Sequence, residues 1–492
     1  MQFHLVLAMA GVLAVCAAVA MADGAAVVNP HVKTDTSVDF RTVDSIVASV
    51  VKEGMTDEQK VLAAFHTIRR MFVHGPTPPR LAYDFHKIMH SVGTGACLSM
   101  TTPLQVVLKR MGYESRSWVH DGHHMMEVRY GDQWHCMDPH MTFYCYDRSD
   151  PPQIASLEQL QADPTLAFDA VKEGRAGKGY LLCGDSPKWF AGKEGRWQLE
   201  FKGGWPKMKI DEPFGQIALR RGERYVRTWH PGEYWYKEGW LERDGCGPIH
   251  HCGSADRKDT ANWPLYEPHV WTGVKGTRYR CWAVGRLEYK PYLTGDRYAD
   301  AAVRRDNVKT VGKESGAMLA QADPARPAEV VFSVSCPYVL TAGELKLTAT
   351  AKGTASAAVS TDQGKTWKAL PLAGEAPARS ATFVDEINGS FDGYLLKLTL
   401  AGGVQVGGVE LTSHFQINRF SLPYFVPGEN IVSVSADGFG SPLEVTYEWA
   451  EGPDWKRRRT ATRTFAAGGQ FPVEVAGPKW PRMESLTLSV AP

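Results

Sequence analysis

The chain has 492 residues, of which 43% are hydrophobic and 22% charged, the balance of a globular protein and too long for one ordinary core, so about three domains are expected. Lys plus Arg number 55 against 54 Asp plus Glu, a balance that offers no global field to draw in nucleic acid or an anionic membrane. The one local exception is the basic run WKRRRTATR at 455–463, which reads as a solvated strand or loop.

The N-terminus, MQFHLVLAMAGVLAVCAAVAMADG, is an apolar run ending in the small-x-small tripeptide Ala20-Met21-Ala22. This has the form of a secretory signal peptide over residues 1–22, and it implies a secreted or periplasmic protein with no membrane span after its removal. The n-region lacks Lys and Arg, so retention as a signal anchor is the alternative. Beyond Cys16, eight cysteines remain, at 97, 136, 145, 183, 246, 252, 281 and 336. An even set in an oxidising compartment suggests bridges, but a working thiol at Cys97 would leave the rest odd. Cys246 and Cys252 in DGCGPIHHCG are the best candidate bridge, and with His250 and His251 the same loop offers a zinc alternative.

Residues 23–180 read as one α-then-β domain. VDFRTVDSIVASVVKE (38–53) predicts a helix, and Thr56-Asp57-Glu58-Gln59 is a capping box opening a second. In that second helix Val61, Phe65, Ile68 and Phe72 form one apolar stripe. Cys97 follows in GTGACLSMTTP. Thr102-Pro103-Leu104-Gln105 reads as a cap with proline at the first helical position, which would put Cys97 on a short turn before the main helix. After Gly112 the period changes to two, through SRSWVHDG, HHMMEVRY and QWHCMD, with Gly131-Asp132 as the turn between the last two. Residues 150–173 return to helical spacing and close the domain.

Residues 185–310 predict an aromatic-rich β domain holding nine of the 15 tryptophans, between Trp189 and Trp282. Such aromatics either fill a β core or line a sugar-binding face. Residues 311–329 are small and polar and end in prolines, as a linker does. From Val330 to 492, steady alternation with Gly and Asn-Gly punctuation predicts a β-sandwich region of one or two modules. STDQGKTW (360–367) matches a single Asp-box hairpin turn, a turn device rather than the repeat of a propeller.

The chemistry concentrates in the first domain, as cysteine, histidine and aspartate in that order. A thiol at neutral pH needs an imidazole to take its proton, and the imidazole needs a third group to fix its tautomer. Four histidines compete, at positions 120, 123, 124 and 135. If Gly131-Asp132 is a two-residue loop, Tyr130 faces Gln133, Met125 faces Asp138, and His123 becomes the diagonal neighbour of Asp138. A three-residue loop would favour His124.

The stretch from Gly93 to Pro139 resembles the transglutaminase-like, papain-like superfamily, in particular bacterial secreted transglutaminase-core proteins. It carries G-x-C at Cys97, G-x-x-x-R at Gly112 and Arg116, H-x-x-x-E-V at His123, Glu127 and Val128, and W-x-x-x-D-P at Trp134, Asp138 and Pro139. The match spans roughly residues 40–150 and departs from the pattern at Met125, where tryptophan is usual, and at His140, where Thr or Ser is common. The resemblance implies an α+β chain with a papain-like, transglutaminase-core N-terminal domain followed by all-β domains, and Cys97, His123 and Asp138 as the catalytic triad. It implies acyl transfer on amide or peptide bonds, in its hydrolytic form, with a peptide or protein substrate or a cell-surface polymer as partner. No cofactor and no metal is expected, and no acidic cluster argues for calcium. Two other readings stand beside it: a non-catalytic scaffold binding carbohydrate or protein, and a polysaccharide-active enzyme using Glu223 and Glu233.

Overall fold

The structure, a computed structural model, describes residues 25–74, 77, 81, 83–120, 123–177, 208–236, 282–294, 297–313, 316–391 and 393–491. The expected signal segment, Cys183, Cys246, Cys252, Cys281 and most of the tryptophan-rich stretch lie outside these residues. The chain is β-rich, and its six α-helices among the described residues all fall between 43 and 168. Among the same residues no helix is long and apolar enough to cross a membrane.

Helix α1 (Val43–Val50) is shorter than the 38–53 expected and starts at a capping box between Thr42 and Ser45. Helix α2 (Asp57–Arg70) begins where the sequence puts it, with Gln59 N donating to Thr56 Oγ1 at 3.2 Å and Thr56 N to Gln59 Oε1 at 2.9 Å. Its stripe of Val61, Phe65 and Ile68, continued by Phe72, is fully buried. After α3 (Phe85–Ser91), helix α4 (Cys97–Arg110) lays Met100, Leu104, Val107 and Leu108 into the same core. The short helices α5 (Leu157–Ala162) and α6 (Thr165–Phe168) follow the hairpin.

The three strands Glu114–His120, His123–Tyr130 and Gln133–Met137 form an antiparallel sheet. Its two faces enter two cores. Met126, Val128 and Met137 join the helix cluster with α2 and α4, whereas Met125 and Cys136 join a second cluster with Phe143, Leu157 and Leu160. Alternation along each strand makes this split.

The remainder is a pair of β-sandwiches built on one long sheet. That sheet runs through Val308–Val311, Met318–Gln321, Val406–Ile417, Ala283–Tyr289, Glu223–Thr228, Arg482–Val490, Leu443–Glu451 and Arg457–Phe465, with Val339–Ala349 and Ala378–Phe383 branching from it. A five-stranded sheet covers one end, with Phe332, Leu396 and Leu398 packed into the same core as Leu345 and Leu411. A three-stranded sheet covers the other, with Val432, Phe471 and Val473 against Val445, Tyr447 and Leu486.

Three expected boundaries change. Residues 318–321, within the expected linker at 311–329, are a strand of the long sheet, because Leu319 buries its side chain and pairs with Val406. Of the described strands of the 185–310 region, Glu223–Thr228 and Ala283–Tyr289 stand in the middle of that sheet, Val308–Val311 at its end, Ala302–Asp306 at the edge of the five-stranded sheet and Ala218–Arg220 in a small sheet with Ala25–Val28, so they form no domain of their own, and Trp229 and Trp282 are buried in the protein interior. Residues 25–34, assigned by sequence to the first domain, pair instead with strands near 218–220 and 428–439. The helical and β regions are tied by buried amides: Asn418 donates to the carbonyls of Met71 and Met89, and Gln416 to that of Ser91.

STDQGKTW is the turn between Thr354–Ser360 and Lys368–Leu370. Asp362 accepts from Thr366 N at 2.9 Å and Thr366 Oγ1 at 2.6 Å, and Gln363 and Gly364 take positive φ. The basic run lies on the edge strand Arg457–Phe465, where Arg457 and Arg459 pair with the buried Glu451.

Candidate active site

The turn at Gly131-Asp132 has two residues: Tyr130 pairs with Gln133, Glu127 with Cys136 and Met126 with Met137. Gly131 has φ +55°, the left-handed conformation that such a turn demands. This register puts His123, at the head of its strand, and Asp138, just past the end of the next, at the same end of the sheet and on one face. His123 Nε2 lies 2.5 Å from Asp138 Oδ2. The other carboxylate oxygen, Oδ1, accepts the backbone amides of His140 at 2.9 Å and Met141 at 3.1 Å, so the carboxylate is fixed at both ends. Asp138 is 1% exposed and His123 7%.

Helix α4 brings the third residue. It is continuous from Cys97 through Pro103, so the expected cap at Thr102 with a preceding turn does not form. Pro103 is the seventh helical residue and deprives the Ser99 carbonyl of an amide, while the hydroxyls of Thr101 and Thr102 donate to the carbonyls of Cys97 and Leu98 at 2.8 and 3.0 Å. Burial of Met100 and Leu104 on either side holds the helix through the break. Cys97 is therefore the first residue of a 14-residue helix, and its thiol lies near enough to the His123 imidazole to favour the imidazole's charged form. The N-cap, Ala96, has no side-chain acceptor for the first-turn amides, which leaves the positive end of the helix facing this region.

Electrostatics separate the two neighbouring histidines. Burial of His123 works against its charged form, but the Asp138 charge and hydrogen bond, with a smaller contribution from Cys97, outweigh it and raise the imidazole to about 10. Burial also acts on Asp138, yet the His123 cation and the backbone amide of Met141 hold its carboxyl below the usual range. His124 points to the other face, and burial pushes it down to about 4. Among the other thiols, burial drives Cys145 up to about 12 and Cys136 well above the ordinary range, whereas Cys97 keeps partial exposure.

Behind the triad, the residues of the resemblance form a brace. Glu127 is 0% exposed; its Oε2 accepts Arg116 Nε and Trp118 Nε1, each at 2.7 Å, and its Oε1 accepts the amide of Leu157 at 2.8 Å. The Arg116 guanidinium lies over Trp134 at 4.1 Å and Trp118 at 5.0 Å from the ring centres. Glu127 thus ties all three strands to the start of α5, which keeps the His123 and Asp138 ends in register. His135 donates away from the site, to the carbonyl of Ile154 at 2.7 Å.

His140 is a site neighbour that sequence reasoning treated only as a departure from the family pattern. Its ring centre is 5.5 Å from that of His123, and the ligand atoms of His123, Asp138 and His140 all lie within 4.8 Å of one another, a spacing that a transition metal could draw together. The signal in the sequence was the spacing Asp138-x-His140, which lets the aspartate accept the amide two residues on. Of the two carboxylates considered for polysaccharide chemistry, Glu223 is buried in an ion pair with Arg220 at 2.7 Å, which commits it to structure; Glu233 is exposed. Cys246, Cys252, His250 and His251 lie outside the described residues.

No family model matches the chain, and no curated protein matches it. Among solved structures, it is similar over 37% of its length to 46% of the pilus backbone protein of Streptococcus pneumoniae, at 11% identity and a TM-score of 0.13. A second match, a structure of manganese lipoxygenase of Gaeumannomyces graminis with part of zonadhesin of Komagataella pastoris, covers 39% of this chain and 52% of that one, at 12% identity and a TM-score of 0.12. The chain thus spans about half the length of each, and likenesses this slight carry no argument about family or chemistry.

Proposed function

We propose that this protein is a transglutaminase-like, papain-like cysteine enzyme that transfers the acyl group of an amide or peptide bond to water, as a secreted or periplasmic hydrolase. The observation that carries the reading is the 2.5 Å contact between His123 and Asp138, with the Cys97 thiol near the same imidazole. Two backbone amides fix Asp138, and Asp138 fixes the ring; the ring takes the thiol proton; the sulfur sits at the N-terminus of a helix, where negative charge is favoured.

In this reading Cys97 Sγ attacks the carbonyl carbon, forming the C–S bond as the carbonyl π electrons move to oxygen. First-turn amides of α4 stabilise that oxyanion. Collapse breaks the C–N bond, and His123 gives the proton to the departing amine. Water, deprotonated by His123, then attacks the thioester carbonyl; collapse breaks the C–S bond and releases the acid, and the proton returns to the sulfur. Arg116, Trp118, Trp134 and Glu127 position the strands and take no part in bond making. The sandwiches carry the domain toward a protein or cell-surface polymer.

The test is iodoacetamide labelling near neutral pH with peptide mapping, alongside hydrolysis of a mixed peptide-amide library. Labelling confined to Cys97, and turnover abolished by Cys97→Ala, is the expected result. Cys97 found in a disulfide, or a Cys97→Ala protein with full turnover, would overturn it and leave a binding scaffold.

A further inference from the structure

A cavity of about 60 Å³ lies away from the triad, where the strand Glu223–Thr228 meets the segment Pro30–Arg41. That is roughly four times the space one water needs. Its charges do not balance. Lys33, Arg41 and Arg227 line it, and among the described residues none of the three has a carboxylate at ion-pair distance. The one acid in the lining, Asp39, is taken up by His31 Nε2 at 3.1 Å and by the amide of Arg41 at 3.0 Å. Phe214 and the buried rings of Tyr225 and Tyr338 form the apolar wall.

Arg227 is the informative member. Its guanidinium lies 4.9 Å from the centre of the Tyr225 ring and near the Tyr338 side chain, yet its Nε is buried without a hydrogen-bond partner. A guanidinium has five N–H donors in a planar fork that matches two oxygens of a carboxylate or phosphate. A half-buried cation whose Nε is shut off from water, with no acid beside it among the described residues, is costly, so a chain that places one beside a cavity gains by completing it with an anion. The apolar floor would exclude water from one side and strengthen that contact.

We infer that this cavity is a binding site for a small oxyanion, a carboxylate or phosphate group held by Arg227 with Lys33 and Arg41 at its mouth. The site joins the N-terminal segment to the long sheet, so the bound anion ties residues 30–41 to the strand carrying Arg227.

The test uses the full chain, with acetate and inorganic phosphate titrated in calorimetry and thermal unfolding at ionic strength held constant with sodium chloride. Saturable binding with a matching rise in Tm is expected for at least one arm, and which arm saturates identifies the group. Arg227→Gln should weaken that binding tenfold or more while leaving the anion-free protein no less stable, because an unpaired, half-buried charge has gone. Should Arg227→Gln fail to fold, the surface double variant Lys33→Ala, Arg41→Ala replaces it, with affinity again expected to fall about tenfold. Neither anion saturating, or unchanged affinity in the variant that folds, overturns the assignment.

Discussion

Asp138→Asn is the sharpest perturbation of the triad. Asparagine keeps the shape of the aspartate and its Oδ1 can still accept the amides of His140 and Met141, but the atom facing His123 Nε2 becomes an amide donor or an uncharged oxygen. The raised imidazole, at about 10 against an ordinary 6.5, corresponds to about 5 kcal/mol favouring the imidazolium in the wild type. Without the carboxylate, burial, the largest single influence on the ring, is opposed only by the smaller contribution from Cys97, so His123 should titrate below 6.5 in the variant. At pH 7.5 the ring would change from almost wholly protonated to almost wholly neutral. The assay is an NMR titration of histidine-labelled protein, with His123 assigned by its own substitution, and with the rate of Cys97 alkylation measured in parallel. A wild-type ring that stays charged through pH 9, a variant ring that titrates in the acid range, and alkylation slowed about 100-fold are expected. The reasoning is refuted if wild-type His123 titrates near 6.5, or if the substitution leaves its titration in place.

The same pair makes stability depend on pH. His123 is raised on folding, so its contribution is complete below about 6.5 and is lost as pH climbs through about 10; Asp138 is lowered, so its contribution is lost as pH falls below the ordinary carboxylate range. Urea unfolding should accordingly show wild type exceeding Asp138→Asn most clearly between about pH 4.5 and 6.5, with the gap closing toward pH 10; a gap that widens with alkali would contradict the pairing. Glu127→Ala removes a buried acceptor of three side-chain and backbone donors and strands Arg116, and should cost about 3–5 kcal/mol by the same measurement. Phe65→Ala, in the fully buried stripe of α2, should also cost about 3–5 kcal/mol while leaving the His123 titration unmoved.

Local chemistry made much of the candidate site legible. The α2 start follows from Thr56 and Gln59 satisfying each other's amides, and its buried face from a stripe at helical spacing, both decided within one or two turns of chain. The choice of His123 over His124 follows from counting two residues in the Gly131-Asp132 turn, because side chains alternate strictly across a sheet. The Asp362 turn is equally local.

What tertiary structure decided was whatever depends on partners far along the chain. A helix running through Pro103 contradicts its own local signal, and survives because Met100 and Leu104 are buried on both sides of the break. Residues 25–34 and 318–321 read as domain edge and linker until strands near 218, 406 and 430 give their backbone groups partners. Periodicity shows that a segment can be a strand but not which edge it will join, since pairing across hundreds of residues leaves no mark within a short window. His140 and Arg227 are ordinary residues in sequence; one acquires meaning beside His123, the other beside an unbalanced cavity, because only the folded chain sets the distances between charges.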